Sequence, residues 1–141
     1  MRDATFDTVL LTDVLEHIVR PAALVREIAR VLRPCGTLVL TTRCLYRLHE
    51  QPHDYHRYTE FARRRFCDEA GLDVVSLEPH GGAPDVILDI LVKHLAFSAV
   101  LVAVVTDLGR MVTLPLRRLA RRSERNFPLG YCLVARSSTR A

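Results

Sequence analysis

Hydrophobic positions in this chain follow two rhythms: short unbroken runs, and longer stretches in which apolar residues return every three or four positions. The run from Phe6 to Thr12 (FDTVLLT) lacks in-and-out alternation, as a strand covered on both faces of a parallel sheet would. From Pro21 the rhythm changes. Leu24, Val25, Ile28, Val31 and Leu32 recur at helical spacing, with Arg26, Glu27, Arg30 and Arg33 between them, and proline suits a first helical turn. An amphipathic helix packed on a sheet is predicted. Pro34, Cys35 and Gly36 interrupt it, and Thr37 to Thr42 (TLVLTT) forms a second buried strand, completing a parallel strand, helix, strand unit with the usual right-handed crossover.

After a loop rich in His and Arg, Thr59 is placed as the N-cap of a helix that runs to Ala70 and stops at Gly71. Leu72 to Leu77 is a third strand. Gly81, Gly82 and Pro84 mark a turn, Val86 to Leu108 is apolar and largely helical, and a second helical piece, Arg110 to Arg122, is kinked or split at Pro115. A turn at 126–130 precedes a closing strand, Tyr131 to Ala135. The order gives an α/β fold with four strands, the first three parallel. In such open sheets ligands gather at the carboxyl ends of the strands, usually opened by a glycine-rich turn, and the chain contains no GxGxxG.

Composition narrows the picture. With 141 residues, 49% hydrophobic and 26% charged, the chain is of single-domain size and is neither disordered nor collagenous. Its longest stretch free of His and charged residues, Leu95 to Thr106, has 12 residues, short of the ~18 a membrane span needs. Asp7 and Asp13 interrupt the early apolar cluster, so no secretory leader is read there and a cytoplasmic location is expected. Cysteines 35, 44, 67 and 132 form no CxxC pair and are expected to be free thiols. The net charge of +4 hides an asymmetry: residues 110–141 hold eight Arg against one acid, Glu124, and the remainder is acidic. The body of the protein is not expected to bind nucleic acid.

The segments from Phe6 to Ile18 (FDTVLLTDVLEHI) and Arg26 to Leu40 (REIARVLRPCGTLVL) resemble the second half of class I S-adenosylmethionine-dependent methyltransferases of the type 11 family. His53 to Thr59 (HDYHRYT), Glu69 to Leu72 (EAGL) and Phe127 to Tyr131 (FPLGY) add to the resemblance, which is weakest from Pro84 to Arg125. It implies a Rossmann-like sheet of strand order 3-2-1-4-5-7-6 with strand 7 antiparallel, in which the strands beginning at Phe6, Thr37, Leu72 and Tyr131 resemble 4, 5, 6 and 7. Residues 85–125 then form a helical insertion and 137–141 a polar tail of a single partial domain. The resemblance implies S-adenosyl-L-methionine as cofactor and a small-molecule acceptor as substrate. It also implies that the glycine-rich turn and the ribose-gripping acid lie outside this sequence. An N-terminally truncated domain, inactive alone, is therefore expected, or one whose exposed edge strand is completed by a partner chain. A non-catalytic partner or regulatory module derived from a methyltransferase is the alternative.

By the same resemblance, Thr12, Asp13 and Val14, at the carboxyl end of the first strand, line the methionine and sulfonium side of the cofactor; Asp13 alone reads equally as a turn cap. Glu16 and His17 form a candidate acid-base pair, the imidazole taking a proton from the acceptor while a carboxylate fixes its tautomer, or else a structural signature of the family. Asp13-x-x-Glu16-His17 resembles the Glu-x-x-Glu-His metal motif of ubiquinone-type and small-RNA methyltransferases with Asp in place of the first Glu, and no metal is expected. His49, His53 and His56, with Tyr55, Arg57 and Tyr58, either face the acceptor, with His53 a candidate catalytic residue, or form a surface loop pinned by Asp54 and Arg57. Arg63 to Arg65 reads as a solvated helix face. Arg110 to Arg122 mixes apolar residues with Arg as a helix at an anionic membrane surface does, so peripheral membrane contact through residues 85–122 is one reading; an insertion packed on the sheet with snorkelling Arg stems is the other.

Overall fold

The computed structural model describes residues 2–113, 115 and 121–138. Two compact units divide the chain: Met1–Cys44, Leu48–Glu78 and Tyr131–Ala141 in the first, Leu45–Arg47 and Pro79–Gly130 in the second.

The first unit is built on β1 (Phe6–Thr12), α1 (Pro21–Val31), β2 (Leu32–Arg43), α2 (Glu60–Ala70), β3 (Leu72–His80) and β4 (Gly130–Ser137). The strands form one sheet in the order β1-β2-β4-β3, the order expected from the resemblance. β1 and β2 pair in parallel, with Val9 opposite Leu38, Leu11 opposite Leu40 and Thr12 opposite Thr41. α1 lays Val25, Ile28 and Val31 on the sheet at the predicted spacing, where they join Leu15, Leu38, Leu40, Leu133 and Ala135 in the core. Gly71 ends α2 at φ +70°, a left-handed conformation for which glycine carries no Cβ penalty. Thr59 occupies the N-cap position of α2, yet its side chain makes no capping hydrogen bond.

Two strand expectations need correction. The second strand starts at Leu32 instead of Thr37, because Leu32 already leaves the helix at φ −70°, ψ 139°. The intervening residues are absorbed by a register shift, Phe6 facing Leu32 and Thr8 facing Thr37, with Cys35 at φ +64° making the bend. The first strand is not buried on both faces: Leu10 is 66% exposed and Phe6 39%. β1 is the outermost strand of the described sheet, so it has a neighbour only in β2. A groove of about 490 Å³ runs between it and α1, lined by Val9, Leu11, Leu24 and Ile28 among others.

The second unit holds α3 (Ala83–His94) and α4 (Ala99–Thr113). The single apolar helix expected over Val86 to Leu108 is divided, because Ser98 Oγ accepts the Leu101 amide at 3.4 Å and starts a new helix after a turn at 95–98. Gly109 lets the two helices close: a Cβ there would lie 2.4 Å from Leu88 Cδ1. Of the helix expected from Arg110 to Arg122, residues 110–113 end α4 and Pro115 lies in a turn, while residues 114 and 116–120 lie outside the described residues, as does the end of the polar tail, 139–141. Among the described residues no helix is long and apolar enough to cross a membrane.

Candidate functional site

The chain leaves β1 through Asp13 in the left-handed region, φ +49°, which a short polar side chain tolerates better than most. Its amide donates to the Thr41 carbonyl at 3.0 Å, and the Thr41 hydroxyl donates to its carboxylate at 3.2 Å. The Arg43 guanidinium closes on the other carboxylate oxygen at 2.9 Å. Both partners belong to β2, so Asp13 locks the turn onto the neighbouring strand. Thr12 and Val14 flank it with exposed side chains at the carboxyl edge of the sheet.

One turn of 3₁₀ helix follows, Leu15–His17, and buries both Leu15 and Glu16 completely. The Glu16 main-chain carbonyl accepts the amides of Tyr55 and His56, at 3.0 and 3.2 Å, fastening the histidine loop over this turn. Its Oε1 accepts the Arg43 amide at 3.4 Å, while Oε2 has no hydrogen-bond partner among the described residues.

His17 is held differently from the expectation that a carboxylate fixes its tautomer. Its Nδ1 lies 2.9 Å from the main-chain oxygen of His53, and since a carbonyl only accepts, Nδ1 must carry the proton. In the neutral form of the ring, Nε2 is then a lone-pair acceptor. Glu50 Oε2 lies 3.9 Å from Nε2, placed to stabilise the imidazolium that proton capture would form. The His49 ring meets His17 edge-on, centroids 4.7 Å apart. His53 thus contributes its carbonyl to the site, whereas its imidazole is exposed and pairs with the Tyr55 hydroxyl at 2.9 Å. Donor atoms of Glu16, His17 and His49 lie within 4.8 Å of one another, the one grouping among the described residues able to hold a metal ion. Asp13 is not part of it.

The loop is pinned by Asp54, whose nearly buried carboxylate takes the Arg57 guanidinium at 2.5 and 2.7 Å and the His49 amide at 2.9 Å. The Arg57 hydrogen bond, before any other cause, holds the Asp54 carboxyl far below the usual carboxylate range. A depressed folded pKa gives stability that is complete above the unfolded value, about 3.9, and is lost as the pH falls through the folded one. The loop should therefore keep its hydrogen-exchange protection at the Tyr55 and His56 amides down to about pH 4 and lose it in stronger acid. Asp54→Asn should remove that protection at neutral pH, by tenfold or more for about 1.5 kcal/mol. Unchanged exchange in the variant would show that Asp54 does not pin the loop.

Beneath the loop lies a residue misread as solvent-facing. Arg63 is 1% exposed, because it heads the stripe Arg63, Phe66, Cys67 and Ala70 that α2 turns to the sheet. Its Nε and Nη2 donate to the Thr42 hydroxyl, Nε at 2.7 Å, and its Nη1 donates to the Tyr58 carbonyl at 2.6 Å. The guanidinium lies 4.2 Å above the Tyr131 ring centroid. Burial lowers its pKa to about 10, still far enough above neutrality for the group to stay a cation. Burial likewise pushes the Tyr58 phenol well above its ordinary value and the Cys67 thiol up to about 11.

Comparison with known proteins bears on what this arrangement serves. Residues 1–40 match the family model described as "Methyltransferase domain". No curated protein sequence matches. Among solved structures, the [4+2]-cyclase SpnF superposes with a TM-score of 0.61 at 17% identity, covering 99% of this chain and 52% of that one. A putative sarcosine dimethylglycine methyltransferase from Galdieria sulphuraria gives 0.58 at 17% identity, covering 100% of this chain and 56% of that one. Phosphoethanolamine N-methyltransferase 2 from Haemonchus contortus, solved with phosphomonomethylethanolamine and S-adenosylhomocysteine, gives 0.54 at 16% identity over 99% of this chain and 35% of that one. The chain spans about half the length of the first two of these structures. It resembles class I methyltransferases in the sequence of its first forty residues and in fold over almost its whole length.

Proposed function

We propose that the chain supplies the acceptor-side part of a domain that transfers a methyl group from S-adenosylmethionine to a small molecule. The observation that carries the reading is the state of His17, a half-buried imidazole beyond the carboxyl end of β1 whose Nδ1 proton is committed to a main-chain carbonyl and whose Nε2 is an acceptor. Exposed Thr12 and Val14, either side of a turn locked by Asp13, fit one wall of a cofactor site: they offer a hydroxyl and an apolar surface where the sheet's strands end. Thr12, Asp13 and Val14 would hold the methionine side there. Bound in that place, S-adenosylmethionine supplies an electrophilic methyl on sulfonium. The residues of this chain then have two tasks, to orient the acceptor and to receive its proton. His17 Nε2 takes a proton from the attacking hydroxyl or amine, and Glu50 lowers the energy of the resulting imidazolium. The exposed His53 and Tyr55 side chains, linked to each other, provide polar contacts for the acceptor.

The test uses the protein isolated from its own cells by an antibody to the carboxyl end. Saturable binding of S-adenosylmethionine by calorimetry, and transfer of a radioactive methyl group into a small-molecule extract of the same cells, are expected. Binding without any transfer would favour the regulatory-module alternative, and absence of both would overturn the proposal.

A further inference from the structure

The second unit carries a feature that methyl transfer does not use. On α3 the exposed positions are Ile87, Ile90, Leu91 and His94, spaced at i, i+3, i+4 and i+7, so one whole face turned to solvent is apolar up to its last residue. The charged pair of the same helix, Asp89 and Lys93, 2.5 Å apart, is half-buried instead, with the Lys93 ammonium 3.5 Å above the Tyr46 ring. This reverses the arrangement of an ordinary surface helix. α4 repeats it: Val100, Val104, Leu108 and Met111 recur on one stripe and are 72, 56, 60 and 73% exposed. Phe97, in the turn joining the helices, is 79% exposed. Solvent-facing apolar stripes of this extent mark a surface that is covered in use.

Charge indicates what covers it. Residues 110–125 hold six Arg and a single acid, Glu124, whereas residues 1–109 carry a net negative charge. Arg121, Arg122 and Arg125 are exposed. A cationic segment joined to an apolar helical surface complements anionic lipid, where headgroup phosphates meet the cations and the acyl boundary receives the apolar side chains. A protein partner would need an acidic rim around an apolar groove, a narrower requirement. With 15 residues α4 is about 22 Å long, shorter than a bilayer core, which fits a helix lying on the surface.

We propose that the α3–α4 hairpin, led by Phe97, docks this protein on an anionic membrane surface together with the exposed Arg121, Arg122 and Arg125. The proposal is independent of the methyl-transfer reading.

The chain contains no tryptophan, so Phe97→Trp gives a single reporter at the hairpin turn. With vesicles of phosphatidylcholine and phosphatidylglycerol, its emission should shift to the blue and be quenched by brominated acyl chains. The fraction bound should exceed that on pure phosphatidylcholine by about tenfold at low salt and fall severalfold by ~0.5 M NaCl. Phe61→Trp, at a 72% exposed position on α2 in the other unit, should keep the emission of a water-exposed indole. In the Phe97→Trp background, Arg121→Glu with Arg122→Glu should abolish the preference for anionic lipid, and Val104→Asp should reduce quenching; these are exposed positions, and an unchanged far-ultraviolet circular dichroism spectrum would confirm the fold. No blue shift with either lipid would overturn the proposal. So would an equal shift at positions 61 and 97, or a shift that also occurs without vesicles as the protein concentration rises, which would mean self-association.

Discussion

Replacing His17 by alanine is expected to lower methyl transfer by at least about a hundredfold while leaving the affinity for S-adenosylmethionine within a few fold. The loss follows from the tautomer. With its Nδ1 proton donated to the His53 carbonyl, the ring offers Nε2 to an acceptor proton. His17→Asn separates the two roles of this side chain, since its amide nitrogen can still donate to the His53 carbonyl but provides no base. If His17 acts as the base, the asparagine variant is as slow as the alanine variant. Recovery in the asparagine variant would reduce His17 to an anchor for the loop.

Arg63→Ala is expected to destabilise the first unit by about 3 kcal/mol, seen as a fall in melting temperature of roughly 10 °C. The substitution leaves the Tyr58 carbonyl and the buried Thr42 hydroxyl without their donor and uncovers the face of Tyr131. A buried acceptor left unsatisfied costs about 1–3 kcal/mol, and the vacated volume adds to it. Arg64→Ala, one position along and exposed, should change stability by less than about 0.5 kcal/mol, which controls for any general effect of lost charge or helix propensity. Arg63→Lys should recover only part of the loss, because an ammonium does not reproduce a planar fork spanning two acceptors. Equal melting temperatures for the two alanine variants would mean that the cation is not structural.

The adjacent arginines show why the site was only partly legible. The helical period places position 63 with Phe66, Cys67 and Ala70 on one face, so a signal for burial was present in the sequence. Three consecutive arginines nonetheless read as a solvated face, because hydropathy assigns a guanidinium to water unless its partners are known. Those partners, Thr42 and Tyr131, come from β2 and β4. His17 shows the same limit. The Leu-Glu-His run identified the residue, but the atom that orients it is a main-chain oxygen 36 positions away, supplied by a loop whose path depends on the Asp54 and Arg57 pair.

The sequence by itself determined the order of strands and helices in the first unit, the parallel β1–β2 pairing around an amphipathic crossover, the glycine that ends α2, and the likeness to methyltransferases, because each rests on local periodicity, turn chemistry or a contiguous motif. Tertiary structure alone decided which of those residues meet. It placed β1 at the edge of the described sheet with Leu10 exposed, turned Arg63 inward, gave the His17 proton to a carbonyl, divided the apolar stretch at Ser98, and left the apolar faces of α3 and α4 in solvent. The physical reason is common to all of these. Hydropathy along a chain records how apolar a segment is, whereas exposure and proton position depend on what the rest of the chain brings within about 3 to 5 Å of it.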